Sequence, residues 1–343
     1  MRTFAKQNTE DNYKRMDIFK NHSIAVIIPC YKVEKHIQQV VAKIPDYVTS
    51  IILVDDASPD NTGEILDQLA INNPKITVLH HAKNQGVGGA MISGFQESVK
   101  QNHEVVIKID GDGQMNSNYF EKMLTTVFEG EYNFVKGNRF FDRKMLRKMP
   151  AIRRIGNIGM GFLIKMASGY WNIFDPTNGF FCIHTSLLKR IDFERLSKRF
   201  FFESSLLIEL YYTGAKIKDI AMPAIYAEEK SNLSIGRTLF TFPPKLFKAF
   251  LRRIWLRYFI YDFNIGSLYI FFGIPLFFFG LIFGIIKWIH YAILQAATPT
   301  GTIMIAVISL VLGFQMILAA VQYDISANNP FVAENENPDK KEN

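Results

Sequence analysis

Apolar positions fall into short continuous runs in the first third of the chain and into two long runs near its end, and these patterns predict different elements. Residues 24–29 (IAVIIP), 51–54 (IILV), 76–80 and 104–109 have the length and β-branched content of buried strands. Residues 34–43, 62–72 and 87–101 between them read as helices. Alternating buried strands and helices argue for an α/β domain built on a mostly parallel sheet with helices on both faces. Ligands of such sheets bind beyond the carboxyl ends of the strands.

The late runs are of another kind. Neither 265–286 nor 302–323 contains a charged residue, and at 1.5 Å per residue each spans a hydrocarbon core of roughly 30 Å. Two transmembrane helices are expected, joined through Pro299 and Gly301. Ahead of the first, Arg237, Lys245, Lys248, Arg252, Arg253 and Arg257 alternate with Leu and Phe, with no acidic residue before Asp262. That is the composition of helices lying in the membrane interface, expected to be broken in two by Pro243 and Pro244. The organisation expected is a polar N-terminal extension (1–21), a catalytic domain (22–234), basic interfacial helices (235–262), a transmembrane hairpin (263–324) and a polar tail (325–343).

Charge and composition narrow the setting. The 30 Phe among 343 residues crowd toward the C-terminal third, which points to lipid contact. The net charge of +7 has its densest cationic run beside an apolar span rather than along a folded groove, so nucleic acid is not an expected partner. By the positive-inside rule the large domain and both termini face the cytoplasm of a bacterial inner membrane or its equivalent. Cys30 and Cys182 stand alone, without the spacing of a disulfide framework or a zinc site.

The strand ends carry the candidate chemistry: Pro29-Cys30-Tyr31, Asp55-Asp56-Ala57-Ser58, the glycine-rich stretch from Asn84 to Ala90, and Asp110-Gly111-Asp112-Gly113-Gln114. Carboxylates after the second strand can accept from a base or ribose, and glycines opening a helix let backbone N–H groups approach a ligand. Two carboxylates two residues apart can share a hard divalent cation, which neutralises a leaving diphosphate. Each motif alone could be a helix cap or a surface turn. Their succession at four strand ends makes a nucleotide-diphosphate site the better explanation.

On these residues the chain resembles glycosyltransferase family 2, within it the polyprenyl-phosphate sugar synthases. The resemblance rests on IIPCY (27–31), VDDASPDNT (54–62), NQGVGGA (84–90), DGDGQ (110–114), GNR (137–139), DPTNGF (175–180), FFES (201–204) and MPAIYAEEKSNL (222–233). It implies a type A, Rossmann-like fold and a metal-dependent inverting transfer from a nucleotide sugar to polyprenyl phosphate, with UDP favoured and GDP-mannose the other donor. Pro29, Tyr31, Glu34, Asp56, Asn84, Gly86 and Asp110 are then expected at the nucleotide. Asp110, Asp112 and Gln114 are expected at a Mg2+ or Mn2+ ion, and Arg139 beside the reacting phosphates together with Asp110 and Asp112. Glu34 departs from the family pattern, which has its carboxylate elsewhere after Tyr-Asn, and the basic Arg-x-x-Gly-x-Ser segment is replaced by Glu228 to Ser231.

A phosphate monoester is largely ionised at neutral pH, its second pKa being about 6, and can attack unaided. Arg153 and Arg154 are further candidates for the acceptor phosphate. If the acceptor were a hydroxyl, in glycan or glycolipid synthesis, Asp175 or Glu203 would be the base to test. A chain-extending synthase is disfavoured, because none of Trp171, Trp255 and Trp288 stands in a Gln-x-x-Arg-Trp context. A catalytically silent scaffold is disfavoured by the intact acidic motif. The expected partners are a nucleotide sugar, a polyprenyl phosphate and the membrane, and a homo-oligomer is compatible with the chain.

Overall fold

A computed structural model describes residues 19–141, 151–222 and 235–327. The first 18 residues, residues 142–150, the 223–234 segment with Glu228 to Ser231, and residues from 328 onward lie outside them. The chain divides between Leu246 and Phe247 into two compact units.

The first unit is built on seven strands: β1 (Ile24–Cys30), β2 (Ser50–Asp55), β3 (Ile76–His80), β4 (Val105–Lys108), β5 (Phe134–Asn138), β6 (Phe181–His184) and β7 (Ile217–Ala221). They lie in the order β3-β2-β1-β4-β6-β5-β7. The first four are parallel, as the early runs predict, and β5 is parallel to β7. Strand β6 runs antiparallel between β4 and β5. The apolar pattern does not predict β5 and β7, because FVKGN and IKDIA are short and carry charged residues, so neither makes a continuous apolar run.

Helices α1 (Ile37–Ala42), α2 (Thr62–Asn72), α3 (Val87–Lys100) and α4 (Phe120–Phe128) follow the early strands. Because side chains alternate across a strand, β1 serves two cores. Ile24, Val26 and Ile28 are buried with Ile37 and Val40 of α1, Leu66 of α2 and Phe120, Met123 and Leu124 of α4. Ile27 faces α3, whose Gly94 approaches so closely that a Cβ would lie 2.5 Å from the Ile27 methyl. Phe19 is buried against Tyr47 and Phe128, with ring centroids at 5.2 and 6.1 Å. The compact unit therefore begins inside the stretch expected to be a polar extension. Helices α5 (Ala151–Ser168), α6 (Thr185–Leu188) and α7 (Phe202–Tyr212) complete it, together with the start of α8 (Ile235–Trp255).

Helix α8 passes through Pro243 and Pro244 without breaking, contrary to expectation. Proline deprives the carbonyl four residues earlier of its donor but keeps a helical φ, so the helical run continues. A π-helical turn, Leu256–Tyr261, follows.

In the second unit, α9 (Ile265–Ile293) and α10 (Thr300–Ser326) are long and apolar enough to cross a membrane. Their apolar side chains are mostly exposed, which distinguishes them from the core hairpin of a soluble protein. Gly280 of α9 lies against Ala306 and Leu310 of α10, and Gly313 of α10 against the Phe277 backbone, a small-residue contact that lets the two backbones approach. Asp324 of α10 accepts from both Nη groups of buried Arg253 at 2.7 and 2.8 Å and from the Tyr258 hydroxyl at 2.8 Å. This paired charge ties the end of α8 to the end of the hairpin.

Candidate functional site

Strand order reverses between β1 and β4, and there a cleft opens beyond the strand carboxyl ends, as a doubly wound sheet requires. It has two lobes. The larger, about 640 Å3, is lined by Pro29, Tyr31, Asp56, Asn84, Gly86 and Arg199, among others. The smaller, about 320 Å3, is lined by Lys108, Gln114, Arg139, Asn178, Gly179 and Glu203, among others. Val87, Asp110, Asp112 and Phe200 line both.

In the larger lobe Asp56 organises the glycine-rich turn. One carboxylate oxygen accepts from the Gln85 N–H at 2.8 Å and bonds the His81 ring at 2.7 Å, and the other accepts from the Gly86 N–H at 2.7 Å. Asn84 donates to the Asp56 carbonyl at 3.1 Å. Gly86 has φ of 89°, where a side chain is strained. The glycines after it meet protein: a Cβ on Gly88 would fall on the Ser197 carbonyl, and the Gly89 N–H donates to the Lys198 carbonyl at 3.0 Å. The smallness of Gly86 and Gly88 thus seats the 197–200 segment, which brings Arg199 and Phe200 to the cleft.

The acidic turn follows β4. Asp112 accepts from the Gln114 N–H at 2.9 Å, and the Lys108 ammonium lies 2.6 Å from Asp110 and 3.9 Å from Glu203. Burial alone would lower the Lys108 pKa, but Asp110 and Glu203 outweigh it and hold the group above its ordinary value. Burial raises the Glu203 carboxyl, and Lys108 offsets this only in part. The donors Asp110, Asp112 and Gln114 are all oxygens, the set a hard divalent cation takes, and two carboxylates leave positions for oxygens of a bound diphosphate. No group of three His, Cys, Asp or Glu among the described residues makes a self-sufficient metal cage, so an ion held here is shared with its ligand.

Arg139 reaches the smaller lobe from the end of β5. Asp175, 0% exposed, accepts from its Nε at 2.8 Å, its Nη2 at 3.1 Å and its backbone N–H at 3.1 Å. Burial raises the Asp175 pKa, but the hydrogen bonds and charge of Arg139 outweigh it and keep the carboxyl below its ordinary range. Lys136, buried in β5, donates to the Asp175 carbonyl at 2.5 Å, and burial pulls its pKa down to about 8.

Most of the residues singled out in the sequence meet in this cleft: Pro29, Tyr31, Asp56, Asn84, Gly86, Asp110, Asp112, Gln114, Arg139 and Glu203. Two do not. Glu34 lies outside the lining and accepts from the Asn61 N–H at the start of α2, at 3.2 Å. Asp175 is sealed beneath Arg139, so its carboxylate cannot reach an acceptor as a base. Arg153 and Arg154 lie in α5 with side chains outside those described. Sequence reasoning missed Lys108 and Lys136. The signal was a lysine inside a Val/Ile or Phe/Val strand, a position where a charge must be paired.

The family model for glycosyl transferase family 2 matches residues 25–192. An uncharacterized protein of Methanocaldococcus jannaschii is 30% identical over 74% of this chain and 100% of its own. UDP-N-acetylglucosamine–dolichyl-phosphate N-acetylglucosaminyltransferase of Methanococcus voltae is 29% identical, over 63% of this chain and 93% of its own. Among solved structures, glucosyl-3-phosphoglycerate synthase of Mycobacterium tuberculosis with UDP superposes with a TM-score of 0.50 at 16% identity, over 69% of this chain and 82% of that one, a likeness of fold.

Proposed function

The chain belongs to glycosyl transferase family 2, and from that premise we propose that it transfers one sugar from a nucleotide diphosphate to the phosphate of a polyprenyl lipid. The observation that carries the reading is a single lobe lined by Asp110, Asp112 and Gln114 together with the cationic Lys108 and Arg139. Such a lining suits the meeting of two phosphate-bearing substrates. The Methanococcus voltae relative, by its name, uses dolichyl phosphate, and the apolar helices α9 and α10 suit a lipid acceptor.

The larger lobe takes the base and ribose, with Pro29 and Tyr31 in its lining and Asp56 holding the turn that carries Asn84 and Gly86. An oxygen of the lipid phosphate forms a bond to the anomeric carbon as the bond from that carbon to the diphosphate breaks. The electron pair leaves with the nucleoside diphosphate and the anomeric configuration inverts. No proton need be removed, because the phosphate is already ionised, with a second pKa of about 6. Mg2+ or Mn2+, held by Asp110, Asp112 and Gln114, would supply positive charge at the departing diphosphate. Arg139, aimed in advance by Asp175, meets the crowded phosphates without reorganising. The basic residues preceding α9 favour a cytoplasmic catalytic unit in this reading.

Transfer to a hydroxyl is the second reading, and Glu203 favours it: this carboxyl lines the lobe and its raised pKa suits a general base. One experiment separates the two. Purified protein is given labelled UDP- and GDP-sugars with undecaprenyl or dolichyl phosphate, or with the dephosphorylated polyprenols. Label entering the organic phase only with the phosphorylated lipid is the expected result; transfer to the free alcohol would overturn the phosphate reading.

A further inference from the structure

Transfer to a lipid phosphate leaves one carboxyl of the cleft without a task. Glu203 has no proton to remove there, because the attacking phosphate is already ionised. Its position is nonetheless fixed. It stands in the first turn of α7 beside buried Phe202, Ser204 and Ser205, and its side chain is 17% exposed. The Ser205 hydroxyl accepts from the Ser197 N–H at 2.9 Å and donates to the Phe202 carbonyl at 2.8 Å, which ties that turn to the segment before it.

The layout of the cleft says what Glu203 meets. Asp110 and Asp112 line both lobes, so a donor whose nucleoside fills the larger lobe carries its diphosphate past them and its sugar into the smaller. That lobe, about 320 Å3, lies at the low end of small-molecule sites, roughly 300–1,000 Å3, and suits a single ring. A hexose presents apolar C–H faces and a rim of hydroxyls. The lobe offers Phe180, Phe200 and Met222 to the first and Glu203 to the second.

Charge separates the sugar from the acceptor phosphate. Lys108 is already paired with Asp110 at 2.6 Å. Its ammonium is 3.9 Å from Glu203, longer than a hydrogen bond, and a carboxylate offers about four acceptor sites, so Glu203 keeps acceptor capacity toward the lobe. A phosphate set against Glu203 meets a like charge, whereas Arg139 in the same lobe attracts it. A neutral hydroxyl beside Glu203 finds an acceptor. Gly179 keeps this space free: a Cβ there would fall on the Lys108 ammonium and lie 3.4 Å from Glu203 Oε1 and 3.6 Å from Asp110 Oδ2.

We propose that Glu203 recognises the transferred sugar, its carboxyl accepting a hydrogen bond from one ring hydroxyl of a neutral hexose in the space that Gly179 leaves open. Glu203 thereby selects the donor rather than activating the acceptor, an assignment that rests on the phosphate-acceptor reading.

The test is calorimetry on the full chain in detergent, with Mg2+ and without acceptor lipid. UDP-glucose, UDP-galactose, UDP-N-acetylglucosamine and GDP-mannose are offered first, and the best bound is compared with its own nucleoside diphosphate. Glu203→Gln should weaken the nucleotide sugar roughly 10-fold, the difference between a charged and a neutral acceptor, and leave the nucleoside diphosphate unchanged. Donor analogues lacking the 3-, 4- or 6-hydroxyl then identify the contact: wild type should lose affinity for one of them, and Glu203→Gln should lose less at that position. Equal weakening of nucleotide sugar and nucleoside diphosphate overturns the proposal, since it makes Glu203 a support of the acidic turn. Unchanged donor affinity also overturns it, and returns Glu203 to the hydroxyl-acceptor reading. Should Glu203→Gln fail to fold, Glu203→Asp, which keeps the charge and withdraws it by one methylene, carries the same comparison. Binding is read without acceptor, so failure here is distinguishable from failure of the phosphate-acceptor reading, which transfer to the free polyprenol reports.

Discussion

Replacing Asp175 by Asn isolates the support of Arg139, because the side chain keeps its shape and loses its charge. Asp175 accepts three hydrogen bonds from Arg139, two of them from the guanidinium. An amide in its place offers one oxygen and turns an NH2 group toward a cation. Removing one partner of a fully buried pair costs about 3–5 kcal/mol. Arg139 is 40% exposed, so water replaces part of what is lost and the expected destabilisation is about 2 kcal/mol. An electrostatic donor aimed at developing charge is worth about 10²–10³ in kcat. A retained but misaimed guanidinium should forfeit part of this, roughly 10- to 100-fold. Nucleotide affinity by calorimetry should stay near wild type, so that the loss falls on kcat.

The pH dependence gives a second check on the same variant. The Asp175 pKa is depressed in the folded protein, so its stabilisation is complete above the unfolded carboxylate value, about 3.9, and is lost as pH falls through the lower folded value. The gap in thermal stability between wild type and Asp175→Asn should hold at neutral and mildly acidic pH and close in stronger acid. Wild-type kcat in Asp175→Asn, alongside an inactive Arg139→Lys, would refute the reasoning.

Three further outcomes follow from the same geometry. Asp112→Ala should abolish transfer while far-ultraviolet circular dichroism is unchanged, and calorimetry should show that Mg2+ or Mn2+ no longer enhances nucleotide binding. Lys136 has a pKa lowered to about 8, so its contribution is present above the unfolded value of about 10.4 and lost as pH falls through 8. Wild-type stability should therefore rise from pH 8 toward 10, by at most about 1.4 kcal/mol per pH unit, and Lys136→Met should remove that slope in thermal melts. Gly88→Ala drives a methyl into the Ser197 carbonyl and should cost about 1–3 kcal/mol or more. Gly159→Ala, with open space around it, should gain up to about 1 kcal/mol from helix propensity, a contrast that denaturation of the two variants reads directly.

Local pattern and three-dimensional closure divided the work unevenly. The first four strands, the helices between them and the two apolar spans were legible because burial on both faces, or immersion in lipid, imposes unbroken apolar runs that need no knowledge of the fold. The polar strand ends were legible for a related reason: in a parallel sheet, chain order alone brings the residues after β1, β2 and β4 to one edge, so Tyr31, Asp56, Asp110 and Asp112 had to converge. Beyond β4 that reasoning fails, since β6 enters the sheet in the opposite direction and short strands such as FVKGN carry charges. Asp175 illustrates the consequence. In the sequence it is a carboxylate available as a base, whereas its fixed pairing with Arg139, 36 residues away, makes it a support. Lys108 likewise acquires its role only when β4 and α7 set Asp110 and Glu203 around its ammonium. Periodicity and residue type determined where the elements and the cleft would lie, because both follow from near neighbours and solvent. Which charges neutralise one another was decided by the tertiary structure, because electrostatic partners are chosen by distance in space.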